Sequence, residues 1–200
     1  HIEVTAQAAG VDPQYLLHHG SAFPLFALTL NNKHQVHALA AAMLGEGRGI
    51  MALSGQAASK LAFGVVCLKW CPSCLLEDEQ TFGAGYWHTE HQLYGVTACI
   101  RHTLRLQTLA ASAGGIDRRL LLPDPAMRYE QSLPSEQEIY LSSFITELHR
   151  YLCVQSPVAS PAEYYRRWLG QQGYLTAQGH LRSQALLKAL SAFWRSLFTG

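Results

Sequence analysis

Charge of either sign is scarce in this 200-residue chain: 15 Lys and Arg stand against 14 Asp and Glu, for a formal net charge of +1. That balance excludes a uniformly basic nucleic-acid coat and an acidic solvating tail, so any charged surface must come from local clustering. No run of 18 apolar residues occurs, which excludes a membrane-spanning helix, and no basic-apolar-small leader is present. A soluble, cytoplasmic protein without a membrane partner is expected. Cysteines number only five, an odd count without a secretory signal, which argues against a disulfide framework. Phosphate-cradling loops, nucleophile elbows and kinase signatures are missing. "GEGRG" (45–49) has glycines but neither a preceding strand nor a following Lys-Ser/Thr, and reads as a plain loop. Repeats and low-complexity tracts are absent too. The chain opens on His1 rather than Met, so it is expected to be a piece of a longer protein.

What is there is mainly helix. In "VDPQYLLHHG" Asp12 suits an N-cap, Pro13 the first helical position and Gly20 a stop. "NNKHQVHALAAAMLG" predicts a second helix capped by Asn32 and ended by Gly45, with Val36, Leu39 and Met43 at helical spacing. "SGQAASKLAF" predicts a third. Ser135 and Glu138 form a capping box opening a helix whose stripe is Ile139, Leu141, Ile145, Leu148 and Leu152. Ser160 and Glu163 form a second box, for a helix stopping at Gly173. A nine-residue connection, "YLTAQGHLR", leads to a last helix from Ser183, with Leu187, Leu190, Trp194 and Leu197 facing one way. The expected organisation is an N-terminal helical segment (1–66), a metal-binding knuckle (67–110), a linker (111–134) and a C-terminal helical region (135–200), the last resembling a helix-turn-helix.

The knuckle carries the chemistry. Between two helical regions, "KWCPSC" sets Cys71 and Cys74 on one tight turn, and "ACIRH" sets Cys99 and His102 on another. Two such turns can complete a tetrahedron around one zinc. "EDEQTFGAGYWHTEHQL" between them has helical character broken by Gly83 and Gly85, and "YGVTAC" reads as a short strand. Cys67, His88 and His91 compete for ligand positions but are assigned to packing or hydrogen bonding. Four good ligands leave no open position for a catalytic water, so the zinc, one per chain, is expected to be structural. Deaminase chemistry would need a His-x-Glu before the Pro-Cys-x-x-Cys, and none precedes it. Thioredoxin-like chemistry would need a Cys-x-x-Cys opening a helix after a buried strand, and the matched Cys-x-x-His outweighs it. No catalytic residue is expected.

With these turns in place, "CPSCLLEDEQTFGAGYWHTEHQLYGVTACIRHTLRL" resembles the signature of the TniQ/TnsD family of transposon target-site selection proteins. The matching residues are Cys71–Cys74, Asp78, Gly83, Tyr86–Trp87, His91–Leu93, Gly95–Val96, Cys99, His102 and Leu104. "HHGSAFPLFALTL", "AAAMLGEGRGIMALSG" and the segment from Tyr164 to Trp194 are also similar, and favour the TnsD branch. The chain departs from the pattern at Tyr94, usually Pro, and at Thr103, often Gly. The resemblance implies a non-enzymatic, DNA-associated protein that recognises an attachment site in double-stranded DNA and recruits an AAA+ transposition regulator. The alternative is a protein-protein adaptor docking that ATPase or a CRISPR effector complex, with little DNA specificity of its own.

Basic residues collect in 101–128 and in 160–200, each with five Lys or Arg. Small polar and basic groups at His180, Arg182, Ser183 and Gln184 suit base edges or phosphates. Lys188, Arg195, Arg166 and Arg167 suit backbone phosphates, as do Arg101, Arg105, Arg118 and Arg119 near the knuckle.

Overall fold

A computed structural model describes residues 2–28, 30, 32–45, 67–110, 122–124, 127, 129–130, 132–154 and 161–198. The predicted helix over 54–63, the arginines Arg118 and Arg119, and Ser160 of the second capping box lie outside them.

Four short helices begin the chain: α1 (Ile2–Ala9), α2 (Pro13–His19), α3 (Phe23–Ala27) and α4 (Asn32–Met43). Asp12 caps α2 as its sequence predicts, with Oδ1 accepting from the backbone N–H groups of Gln14 at 2.8 Å and Tyr15 at 3.0 Å. On α4 the buried residue is Ala38, fully inaccessible, whereas Val36 is exposed. The helix therefore turns a small side chain inward.

Strand β1 (Cys67–Trp70) leads into α5 (Pro72–Phe82), then α6 (Thr89–Gln92), β2 (Ala98–Cys99), β3 (Leu104–Arg105) and β4 (Gln107–Ala110). β1 and β4 pair antiparallel, Cys67 opposite Ala110 and Trp70 opposite Gln107, which ties the two ends of this segment together. β2 and β3 form a second, two-residue ladder, so the strand expected over "YGVTAC" is confined to its last two residues. Gly83, at φ 76°, terminates α5.

Helix α7 (Glu136–Val154) lies across α2, α3 and β2. Its N-terminus is the predicted capping box: the Glu138 N–H donates to Ser135 Oγ at 3.2 Å, and the Ser135 N–H donates to Glu138 Oε2 at 2.8 Å. Its inward face differs from the predicted apolar stripe. The buried positions are Ser142, Thr146, His149 and Leu152, and of the predicted set only Leu152 is fully buried. The reason lies in what α7 covers. Ser142 Oγ accepts the backbone N–H groups of Thr97 and Ala98, each at 3.1 Å, and His149 Nε2 donates to the Ser21 carbonyl at 2.8 Å. Backbone groups that sheet ladders leave open must be satisfied, and a polar helix face does it.

Helices α8 (Pro161–Gln171) and α9 (Ser183–Phe198) close the chain. Their connection is a small hairpin: Leu175 bridges Leu181, the Thr176 N–H donates to the His180 carbonyl at 2.8 Å, and the Arg182 N–H donates to the Tyr174 carbonyl at 2.8 Å. This is longer than the three- to four-residue turn of a helix-turn-helix. The last helix does begin at Ser183 as its sequence predicts, but Leu187 and Leu190 of its stripe are not covered, at 60% and 41% exposed.

Candidate metal centre

The Cys71-Pro-Ser-Cys74 run sits where β1 passes into α5, so it opens a helix after a strand instead of forming an isolated turn. Pro72 occupies the first turn, where its missing N–H costs nothing. Both sulfurs thereby lie at a helix N-terminus, whose partial positive charge favours thiolates. Cys99 ends β2, and the Thr103 N–H closes the following turn on the Cys99 carbonyl at 2.8 Å, bringing His102 round. Thr103 pays for that turn with φ 53°, in the left-handed region that a β-branched residue rarely enters.

The four side chains meet. One ligand atom from each of Cys71, Cys74, Cys99 and His102 lies within 4.8 Å of every other. Cys74 Sγ is 3.6 Å from Cys99 Sγ, and His102 Nδ1 is 3.6 Å from Cys71 Sγ, 3.3 Å from Cys74 Sγ and 3.6 Å from Cys99 Sγ. Tetrahedral zinc with Zn–S of about 2.3 Å and Zn–N of about 2.0 Å sets neighbouring ligands roughly 3.5–3.8 Å apart. The donor set and its spacing therefore fit one metal ion. All three cysteines are buried and belong to the core, packed with Leu93, Val96, Leu104 and Leu106, against which Leu25 and Ile145 also pack.

The buried thiols perturb one another through the hydrogen bonds they share. Hydrogen bonds from Cys71 and Cys74 hold the Cys99 thiol far below its ordinary value, while sharing with Cys71 and Cys99 pushes Cys74 far above it. A metal removes the remaining protons on binding.

Around the ligands stands a layer that the spacing of the cysteines does not reveal. His102 Nε2 donates to Glu77 Oε1 at 2.9 Å, and Arg101 donates to Glu77 Oε2 at 2.7 Å. Burial works to lower the His102 pKa, but Glu77 and Cys99 outweigh it and raise it. The carboxylate fixes which ring nitrogen faces the cluster. Lys69 Nζ reaches across to the carbonyls of Leu93 at 2.7 Å and Val96 at 2.8 Å, and burial pushes its pKa down to about 8. Gln92 clasps the same strand residue, accepting the Lys69 N–H at 2.9 Å and donating to its carbonyl at 2.6 Å. Hence the three residues of His91-Gln92-Leu93 act separately. His91 Nε2 lies 3.9 Å from Cys74 Sγ, Gln92 holds β1, and Leu93 is fully buried. A Cβ on Gly95 (φ 82°) would stand 2.7 Å from Ile145 Cδ1, so glycine there admits both the turn and α7. The helical offset of Glu77 from Cys74 was the available signal for this layer.

None of the three competitors is one of the four clustered ligands, although His91 lies against them. Cys67 lies at the far end of β1 opposite Ala110. His88 bonds the buried Asp78 carboxylate at 2.8 Å and stacks on Tyr86, ring centroids 4.3 Å apart. His91 is buried beside Cys74.

The basic candidates fall in two places. Arg101 and Arg105 flank the knuckle and are engaged in ion pairs, with Glu77 at 2.7 Å and Glu138 at 2.8 Å. Arg166, Arg167, His180, Arg182, Ser183, Gln184 and Lys188 lie on α8, the hairpin and the start of α9, and all of them are exposed. Helical spacing sets Gln184, Lys188 and Arg195 on one side of α9, away from Leu187 and Leu190.

The fold and site together define a mainly helical protein organised around a buried Cys3His cluster able to hold one metal ion. The model of the TniQ family matches residues 5–106, just over half of the chain and the whole of that cluster, and the chain belongs to this family. Its members are transposition-associated proteins. The match ends before α7, α8 and α9. No curated protein matches the chain. Among the described residues, no helix is long and apolar enough to cross a membrane.

Proposed function

We propose that this chain is a non-enzymatic target-site selector of the TnsD branch, binding double-stranded DNA and recruiting an AAA+ transposition regulator. The observation that carries the reading is the family match across a knuckle whose four ligands converge. The metal is zinc in a structural role: three thiolates and one imidazole in tetrahedral spacing suit it, and a closed ligand set leaves no site for a reactive water. The DNA surface is the exposed basic side of the C-terminal helices, with Arg182, Ser183, Gln184 and Lys188 toward the duplex and Arg166 and Arg167 on phosphates. Arg118 and Arg119 are kept as additional phosphate contacts.

A second reading, an adaptor that docks the ATPase or a CRISPR effector, draws support from Arg101 and Arg105. Both are neutralised by carboxylates within the chain, which leaves the knuckle itself little attraction for phosphates. Equilibrium binding at several salt concentrations separates the readings, comparing a duplex carrying the attachment site with a scrambled one. A preference of roughly a hundredfold with a clear salt slope supports the selector. In that case Lys188→Ala lowers the slope by about one while leaving sequence preference intact. Equal, weak binding to both duplexes supports the adaptor.

A further inference from the structure

His91 is 5% exposed, and its Nδ1 has no hydrogen-bond partner. Its other nitrogen, Nε2, lies 3.9 Å from Cys74 Sγ, within reach of an N–H···S hydrogen bond. Burying an imidazole that makes nothing of either nitrogen is costly. One choice of tautomer lowers that cost: with the proton on Nε2 the donor is used, and only an acceptor lone pair is left over. The ring also borders a cavity of about 10 Å³ lined by Glu90, Val96, Ala98 and Thr146, about the room one water needs to serve that lone pair.

Charge supplies the reason for such a donor. A divalent metal held by three thiolates and a neutral imidazole carries net charge −1, and Cys71, Cys74 and Cys99 are each at most 2% exposed. A buried negative centre needs donors aimed at its sulfurs. Glu77 serves the solvent side through His102, and it is an acceptor, not a donor. On the buried side, His91 is the ring that reaches Cys74.

We propose that His91 is a positioning residue of the metal centre, donating its Nε2–H to the Cys74 thiolate and so lowering the charge on that sulfur without binding the metal. The inference rests on the metal reading given under the proposed function. It also accounts for a histidine that is neither one of the four ligands nor paired with a carboxylate, unlike its neighbour His88.

The test uses the whole chain loaded with Zn(II) or Co(II), in wild-type, His91→Phe and His91→Gln forms. Long-range proton–nitrogen NMR of the zinc-loaded wild type should show His91 as the Nε2–H tautomer. His91→Phe should still bind one metal, about tenfold more weakly, in the range seen for outer-shell changes. Its Co(II)–thiolate charge-transfer band should move to lower energy and its Cys74 should alkylate faster, because the thiolate has lost a donor. His91→Gln, which keeps an N–H, should recover much of both. An Nδ1–H tautomer in the wild type, or a His91→Phe protein with wild-type band and affinity, overturns the proposal. So does loss of the single metal in His91→Phe, which would make His91 a ligand. A wild-type chain that binds no Co(II) or Zn(II) overturns the metal reading itself, a result separable from the others.

Discussion

The knuckle (67–110) and the C-terminal helix pair (161–198) are built in opposite ways. In the knuckle, contacts join residues far apart in sequence: Cys74 with Cys99, Lys69 with Leu93, and β1 with β4. Its interior holds three sulfurs, Leu93 and Val96 almost wholly inaccessible. In the helix pair, order is mostly local: turns of helix and one hairpin, with α9 also touching α7. No described residue there is buried, and Tyr164, Tyr165, Leu187 and Phe193 are all more than half exposed. A region without a core of its own can form helices, but their stability depends on helix propensity and neighbours. One with long-range clamps depends on the clamps. Perturbations should therefore separate the two.

The largest effect should come from the metal. Chelation, or Cys99→Ser, should cost several kcal/mol and make 67–110 sensitive to protease, because binding energy in such sites is folding energy. Helix content from 161–198 should persist by circular dichroism. Cys67→Ser should keep both metal and protease resistance. Retained metal in Cys99→Ser would end the ligand assignment, and a simultaneous collapse of the helix pair would end the contrast.

Next comes the polar seam between α7 and the knuckle. Ser142→Ala strands the N–H groups of Thr97 and Ala98 and should cost about 2–3 kcal/mol in chemical denaturation. Leu187→Ser, though it removes a large apolar group, should change stability by no more than about 0.5 kcal/mol. Similar losses in the two variants would mean that the Leu187 face is covered by another molecule in solution.

A pH dependence comes third. Burial opposes the charge of Glu138, but Arg105 and the Ser135 cap outweigh it and hold its pKa below the usual carboxylate value. A depressed folded pKa gives stability that is complete above the unfolded value of about 4.3 and is lost as pH falls through the folded one. Glu138→Gln should therefore be less stable than wild type by about 1 kcal/mol at pH 7, with the gap closing as pH falls below about 4. A gap that stays constant with pH would assign the loss to packing and not to charge.

The smallest expected effect is a gain. Thr103→Gly relieves a left-handed turn at φ 53°, worth about 1–2 kcal/mol for a side-chain-bearing residue, against about 0.5–1 kcal/mol of extra unfolded-state entropy. A net rise of up to about 1 kcal/mol should appear in thermal unfolding of the metal-loaded protein, with no change in the helix pair.

Legibility followed the same division. The Asp12 cap, the Ser135–Glu138 box and the start of α9 at Ser183 could all be read from neighbours within four residues. The polar inward face of α7, which replaces the predicted stripe of Ile139, Leu141, Ile145, Leu148 and Leu152, could not, because periodicity reports which residues avoid water, not which backbone groups need partners. The Cys71–Cys74 run reads as a tight turn in isolation; only the β1–β4 pairing shows it as a strand-to-helix junction.

What the sequence by itself determined is the chemistry and the local punctuation. Three thiols and an imidazole in two matched short spacings admit few arrangements other than a shared centre, and caps and helix stops act over a single turn. What only the tertiary structure decided is the surrounding layer. Glu77 turns His102, Lys69 holds the loop at Leu93 and Val96, Ser142 completes the backbone of Thr97 and Ala98, and His91 faces Cys74. These are polar groups whose partners lie up to 45 residues away. Their burial is favourable only because the fold brings each donor to its acceptor.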